Sequence, residues 1–124
     1  MENREGFIWF DGEFVDWKDA NIHILNHGLH YASSVFEGER SYSGKIFKVR
    51  EHTERLFDSA KALDIKIPYS IEEIIDASYK ALELNNLTDA YLRPIVWRGS
   101  EMGVSAPNAK VHCAIAVWEW PTFF

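Results

Sequence analysis

Cysteine is nearly absent. Cys113 is the one thiol in 124 residues. A lone cysteine closes no internal disulfide, and its scarcity points to a reducing, cytoplasmic setting. Long apolar runs are missing too. The longest, Cys113 to Trp118, falls far short of the ~20 residues that cross a bilayer as a helix, so no membrane span is expected. The opening Met1-Glu2-Asn3-Arg4-Glu5 carries acid and no apolar stretch, which argues against a secretory signal. Positive charge is in deficit: 13 Lys and Arg against 19 Asp and Glu leave a net charge of −6. Binding to a phosphate backbone or an anionic membrane rests on a positive field, so neither nucleic acid nor lipid is an expected partner. The P-loop, the dinucleotide-binding glycine fingerprint, the nucleophile elbow and the zinc-protease helix motif do not occur. Repeats, low-complexity tracts and Pro-, Gly- or Ser-rich linkers do not occur either, so one domain over 1–124 is expected.

What the chain has in plenty is aromatic side chains: 8 Phe, 5 Trp and 5 Tyr, 15% of its residues. That much ring area implies a very aromatic core or surfaces made to be covered by something else. Two runs of β-formers, Phe7 to Phe10 and Glu13 to Trp17, flank Asp11-Gly12, the signature of a tight hairpin. Val35 to Tyr42 and Lys45 to Val49 flank Ser43-Gly44 in the same way. A helix is predicted from Glu51 to Asp64 with Leu56, Phe57, Ala60 and Leu63 inward. Ser70 and Glu73 have capping-box spacing and open a second helix, with Ile71, Ile74, Ile75, Ser78 and Leu82 inward and Asn85-Asn86 at its end. Ala90 to Arg98 and Lys110 to Trp120 read as strands. Four strands, two helices and two strands predict an α+β two-layer domain with a mostly antiparallel sheet.

Several groups of residues could carry chemistry. His23, His27 and His30 have helical spacing for a metal, but Gly28 interrupts them and no cysteine or paired carboxylate joins them. Hydrogen bonding within a turn-rich segment is the better expectation, and no metal is expected. Cys113 and His112, adjacent on a strand, point to opposite faces, which argues against a nucleophilic pair. Arg55 lies beside an apolar stripe with Ser59 and Ala62 one and two turns on. Its planar fork suits a phosphate or carboxylate; the alternative is a surface pair with Glu51. Tyr91 and Arg93 share one face of a strand, either as a carboxylate-binding pair or as two solvated side chains.

Taken together, certain stretches are familiar: Ile8-Trp9-Phe10-Asp11-Gly12-Glu13, His27-Gly28-Leu29-His30-Tyr31, Ser34-Val35-Phe36-Glu37-Gly38, Arg50-Glu51-His52-Thr53-Glu54-Arg55-Leu56, Ala90-Tyr91-Leu92-Arg93-Pro94 and Met102-Gly103-Val104. With these the chain resembles the N-terminal domain of the branched-chain amino-acid aminotransferases, class IV (fold-type IV) enzymes that use pyridoxal phosphate. The resemblance implies that Arg55 holds the cofactor phosphate. It implies that Phe36 and Gly38 line the substrate side-chain pocket, with Tyr91 and Arg93 beside them and Arg93 meeting the distal carboxylate of glutamate. Tyr31 and Val104 would reach the active site of a neighbouring subunit, and Trp120 would form an aromatic wall. The implied partners are amino acids, 2-oxo acids, a C-terminal domain and further copies of the protein. The cofactor-bearing lysine belongs to that C-terminal domain in the family, so these 124 residues alone are expected to be inactive. Pro121 and Phe123 depart from the glycine and tyrosine common in the family. Two other readings compete: another fold-type IV enzyme, such as a D-amino-acid aminotransferase or an aminodeoxychorismate lyase, and a non-catalytic binding module.

Overall fold

Alternating side chains decide the architecture. A computed structural model describes residues 1–120; Pro121 and Phe123, the two departures noted above, lie outside them. The first hairpin forms as predicted. β1 (Phe7–Phe10) pairs with β2 (Glu13–Asp16) around Asp11-Gly12. Both turn residues have positive φ, 51° and 94°, a conformation that glycine takes without strain and aspartate tolerates. β6 (Ala90–Arg98) and β7 (Val111–Glu119) are the long central strands, joined along their whole length by antiparallel pairing.

The predicted strand from Val35 to Tyr42 is divided into β3 (Ser34–Phe36) and β4 (Glu39–Tyr42). Both pair with β6, Phe36 opposite Ile95 and Glu39 opposite Leu92, so one register runs through the gap. The gap falls where Glu37 N–H donates to Pro94 O at 3.0 Å. Proline has no N–H to return the bond, and the ladder lapses for two residues without changing direction. β5 (Lys45–Ile46) closes the second hairpin. It is shorter than predicted, because Lys48 turns left-handed and Val49 starts a helix. The antiparallel sheet runs β2-β1-β7-β6-β4-β5, with β3 beside β6.

Three α-helices accompany the sheet among the described residues, one more than predicted. The addition is α1 (His27–Tyr31), a five-residue helix that Gly28 does not prevent. α2 (Val49–Ala62) starts and ends two residues before the predicted span. Its buried residues are Thr53, Leu56 and Ala60, with Phe57 packed beside them. Leu63, predicted inward, stands at the C-cap and is 40% exposed; there the chain has left the helical path. α3 (Ile71–Leu84) has the predicted capping box, with both Ser70–Glu73 hydrogen bonds present. Its buried stripe is Ile74, Ala77, Ser78, Ala81 and Leu82. Ile71 and Ile75 lie at its edge, half-buried. Among the described residues no helix is long and apolar enough to cross a membrane.

α2 and α3 pack on one face of the sheet. There Leu56, Ile74, Leu92, Val96, Cys113, Ile115 and Val117 form the main core. The opposite face carries a second cluster, Ile8, Trp17, Trp97 and Ala114, with Phe10, Ile95, Ala116 and Trp118 packed against it. Aromatics serve both faces: Trp9, Phe14, Phe57, Tyr69 and Tyr79 on the helix side, and Phe10, Trp17, Trp97 and Trp118 on the second face, which α2 and α3 leave uncovered.

Candidate functional site

β6 sends Leu92 into the helix-covered core and Tyr91 and Arg93 to the other face, as strand alternation requires. Arg93 lies over the Phe36 ring, its guanidinium carbon 4.1 Å from the centroid. It donates to Tyr91 Oη from Nη2 at 2.6 Å and from Nε at 3.2 Å. The register explains the meeting: Phe36 pairs with Ile95, so its ring reaches the neighbouring Arg93 on the same face. Gly38 supplies the clearance, since a Cβ there would sit 2.5 Å from Tyr91 Oη. The rings of Trp120 and Trp118 lie 4.6 and 4.9 Å from that of Tyr91. Arg40 Nη2 donates to Trp120 O at 3.1 Å. Phe36, Gly38, Tyr91, Arg93 and Trp120, five of the eight expected site residues, thus form one cluster. A concavity of about 390 Å³ begins at Arg93 and runs across Ile95, Trp97, Ala114 and Phe10. Asn26 and Ser34 also line this largely apolar hollow, and Arg93 is the charged residue in its lining.

Tyr31 and Val104 form a second cluster. Tyr31 Oη donates to Met102 O at 3.1 Å, and its ring lies 4.5 Å from that of His27, tilted by 43°. Buried His27 contacts Gly103 O at 2.9 Å through Nε2 and Ser33 Oγ at 2.5 Å through Nδ1. The carbonyl can only accept, so Nε2 carries a proton, and in the neutral ring Nδ1 accepts from the serine. These bonds tie the loop carrying Val104 to α1, with Val104 and Tyr31 both exposed. His23 accepts from Leu25 N, and His30 Nε2 donates to Ile24 O. His23 and His30 therefore serve local hydrogen bonds and His27 a long-range one, and among the described residues the three do not converge on a metal site.

Arg55 stands apart, on the helix side. It pairs neither with Glu51, which meets Lys48 at 3.6 Å, nor with the aromatic cluster. Its partner is Glu37, which accepts from Nε and Nη2 at 2.7 Å each. Glu37 also accepts from His52 Nδ1 at 2.7 Å. The Glu37 side chain is 5% exposed and that of Arg55 67%. Burial pulls the Glu37 pKa up, but the hydrogen bonds from Arg55 and His52 outweigh it and hold the carboxylate below its ordinary range. Two residues on, Glu39 faces the same side, 3% exposed, and its Oε1 has no hydrogen-bond partner among the described residues. Burial, and then the charge of Glu37, push its pKa up to about 8. Near neutral pH one carboxyl is ionised and its neighbour is protonated.

Sequence reasoning assigned Glu37 no role. The available signal was its place between Phe36 and Gly38: alternation puts those two on the aromatic face and Glu37 on the face toward α2. Cys113 and His112 behave as expected. The thiol is buried, with a pKa pushed up to about 12 by burial and by Asp11, while His112 points away and meets Asp11 Oδ2 at 2.6 Å.

A family model described as amino-transferase class IV matches residues 34–123. The branched-chain-amino-acid aminotransferase of Pseudomonas aeruginosa is 49% identical, over 99% of this chain and 42% of its own length. The crystal structure of the Escherichia coli branched-chain amino acid aminotransferase superposes with a TM-score of 0.91 at 40% identity, covering 97% of this chain and 41% of that one. The branched-chain amino acid aminotransferase of T.th., complexed with N-(5'-phosphopyridoxyl)-L-glutamate, gives a TM-score of 0.89 at 38% identity, with 94% and 41% coverage. The chain spans about two fifths of the length of the relatives it matches.

Proposed function

Because the chain belongs to the class IV aminotransferases, we propose that it is the N-terminal domain of a branched-chain-amino-acid aminotransferase. The whole protein moves the amino group of leucine, isoleucine or valine to 2-oxoglutarate in the cytoplasm. Arg93 carries the reading: it lies across Phe36 and on the Tyr91 hydroxyl, with Gly38 clearing the space beside them. Such an enzyme admits a branched aliphatic chain and a carboxylate in turn. The Phe36, Tyr91 and Trp120 rings offer apolar area to the first, and the Arg93 fork a charged partner to the second.

Pyridoxal phosphate supplies the electron sink that makes the α-proton of an amino acid acidic. Arg55 suits its phosphate. Glu37 occupies one edge of the guanidinium, and the remaining N–H groups sit on a largely exposed side chain. This chain's part is to hold the phosphate through Arg55 and to orient the substrate through Phe36, Gly38, Tyr91, Arg93 and Trp120. Tyr31 and Val104, exposed and tied together through α1, extend to the site of a second copy in a homo-oligomer. All seven lysines are exposed. A lysine that moves a proton needs a lowered pKa, from burial or a nearby cation, which exposure denies these seven; the family resemblance puts that lysine in a C-terminal domain.

The test is transamination of leucine with 2-oxoglutarate. The full-length protein is expected to form glutamate, and residues 1–124 with added cofactor to form none. A full-length protein that prefers D-alanine, or turnover by the 124 residues alone, would overturn this reading.

A further inference from the structure

We propose that Glu37 is a positioning residue for the cofactor phosphate, gripping one edge of Arg55 so that the other faces the anion. The inference rests on the reading of Arg55 as the phosphate-holding residue. A guanidinium has five N–H groups. Glu37 takes one on Nε and one on Nη2, both at 2.7 Å. Two remain on Nη1 and one on Nη2, and the last pairs with an Nη1 hydrogen to form a second, end-on fork. An exposed arginine otherwise loses rotamer freedom each time it binds an anion; here Glu37 has already fixed it.

Glu37 is well placed to do this because it is itself held. It is buried, its backbone N–H is bonded to Pro94 O, and His52 Nδ1 donates to the same Oε1 that receives Arg55 Nη2. Its carboxylate cannot follow Arg55 if the arginine swings, so the pair has one geometry. The residues on either side, Phe36 and Gly38, belong to the aromatic cluster. Three consecutive residues therefore fix the phosphate-binding cation on one face of the sheet and the substrate pocket on the other.

The experiment titrates the full-length apoprotein with pyridoxal phosphate and, separately, with pyridoxal, which lacks the phosphate. Glu37→Gln keeps the shape but turns an amide N–H toward one of the two arginine donors. It is expected to weaken pyridoxal phosphate binding about tenfold and to leave pyridoxal within about twofold. A merely structural residue would weaken both alike. Equal losses, no loss, or tighter binding of pyridoxal phosphate would each overturn the proposal, the last by showing that Glu37 only neutralises Arg55. If Glu37→Gln does not fold, Glu37→Asp, whose carboxylate falls short of Arg55, replaces it under the same expectations. Arg55→Ala separates the proposal from its premise. Unchanged affinity in Arg55→Ala refutes the reading of Arg55. A loss there beside an unaffected Glu37 variant refutes the role of Glu37 alone.

Discussion

The two faces of this sheet are made by the same strands and differ in almost everything else. Toward α2 and α3, the odd-numbered Cys113, Ile115 and Val117 and the even-numbered Leu92 and Val96 are sealed and mostly aliphatic. Their alternates on the other face include Tyr91, Arg93, Ile95, Trp97 and Trp118, large side chains set beside the small Ala114 and Ala116; Trp97 and Ala114 are buried and the rest are partly uncovered. Burial alone explains the first set: any well-packed aliphatic side chains of that volume would satisfy it. It does not explain an arginine lying on a phenylalanine beside a glycine that clears a tyrosine hydroxyl. One face holds the domain together; the other, on the function proposed above, is shaped for ligands and neighbouring protein.

The sharpest way to break that contrast is to truncate one large side chain on each face and compare stability. Leu92 is fully buried, and Leu92→Ala is expected to cost about 3 kcal/mol in urea denaturation. Phe36 is 55% exposed, and Phe36→Ala is expected to cost under about 1 kcal/mol. Similar costs would mean that the open face also holds up the fold.

Glu39 is the exception on the covered face, and it makes a pH-dependent prediction. Its folded pKa of about 8 lies above the ordinary 4.5. Between those values the folded state keeps a proton that the unfolded state has released, so this group lowers stability as pH rises and levels off above about 8. Glu37 works the other way. Its pKa is lowered, so its contribution is present above the ordinary carboxylate range and is lost as pH falls through its folded value. Linkage sets a ceiling of about 4 kcal/mol at pH 8; with relaxation and water entry around the carboxylate, Glu39→Gln is expected to stabilise the protein by on the order of 2–3 kcal/mol there and to change little at pH 4. Denaturation curves at the two pH values check this; an equal effect at both would mean that Glu39 does not titrate as its burial implies. A smaller effect belongs to the helices that cover this face. Ser70→Ala removes the α3 capping bond and is expected to cost about 1 kcal/mol in the same assay.

Much of the covered face is legible in sequence, because local patterns specify it. The Asp11-Gly12 hairpin, the Ser70–Glu73 capping box and the full extent of β6 all lie where short-range periodicity puts them. What is not legible depends on residues far apart in the chain. The lapse at Glu37-Gly38 is set by Pro94, which the pairing register alone brings opposite. α1 is short and contains Gly28, so no helical period can build up. Leu63 fits the α2 stripe, but the helix ends before reaching it. On the open face, Tyr91 beside Arg93 follows from strand alternation, whereas their contact with Phe36 needs the β3–β6 register. The partner of Arg55 illustrates the limit best. Glu51, one turn away, is the neighbour a helix suggests; Glu37, 18 positions away, is reached only when β3 packs on α2.

We propose that the aromatic face, through Arg93, lets one pocket of the full-length protein serve both an aliphatic and an acidic substrate. Arg93→Leu in the full-length protein tests it directly, with kcat/KM measured for leucine and for glutamate. The glutamate value is expected to fall about 30- to 100-fold further than the leucine value, as expected when a charged group that a ligand needs is removed. Equal falls for the two amino acids would contradict the claim and make Arg93 a structural residue.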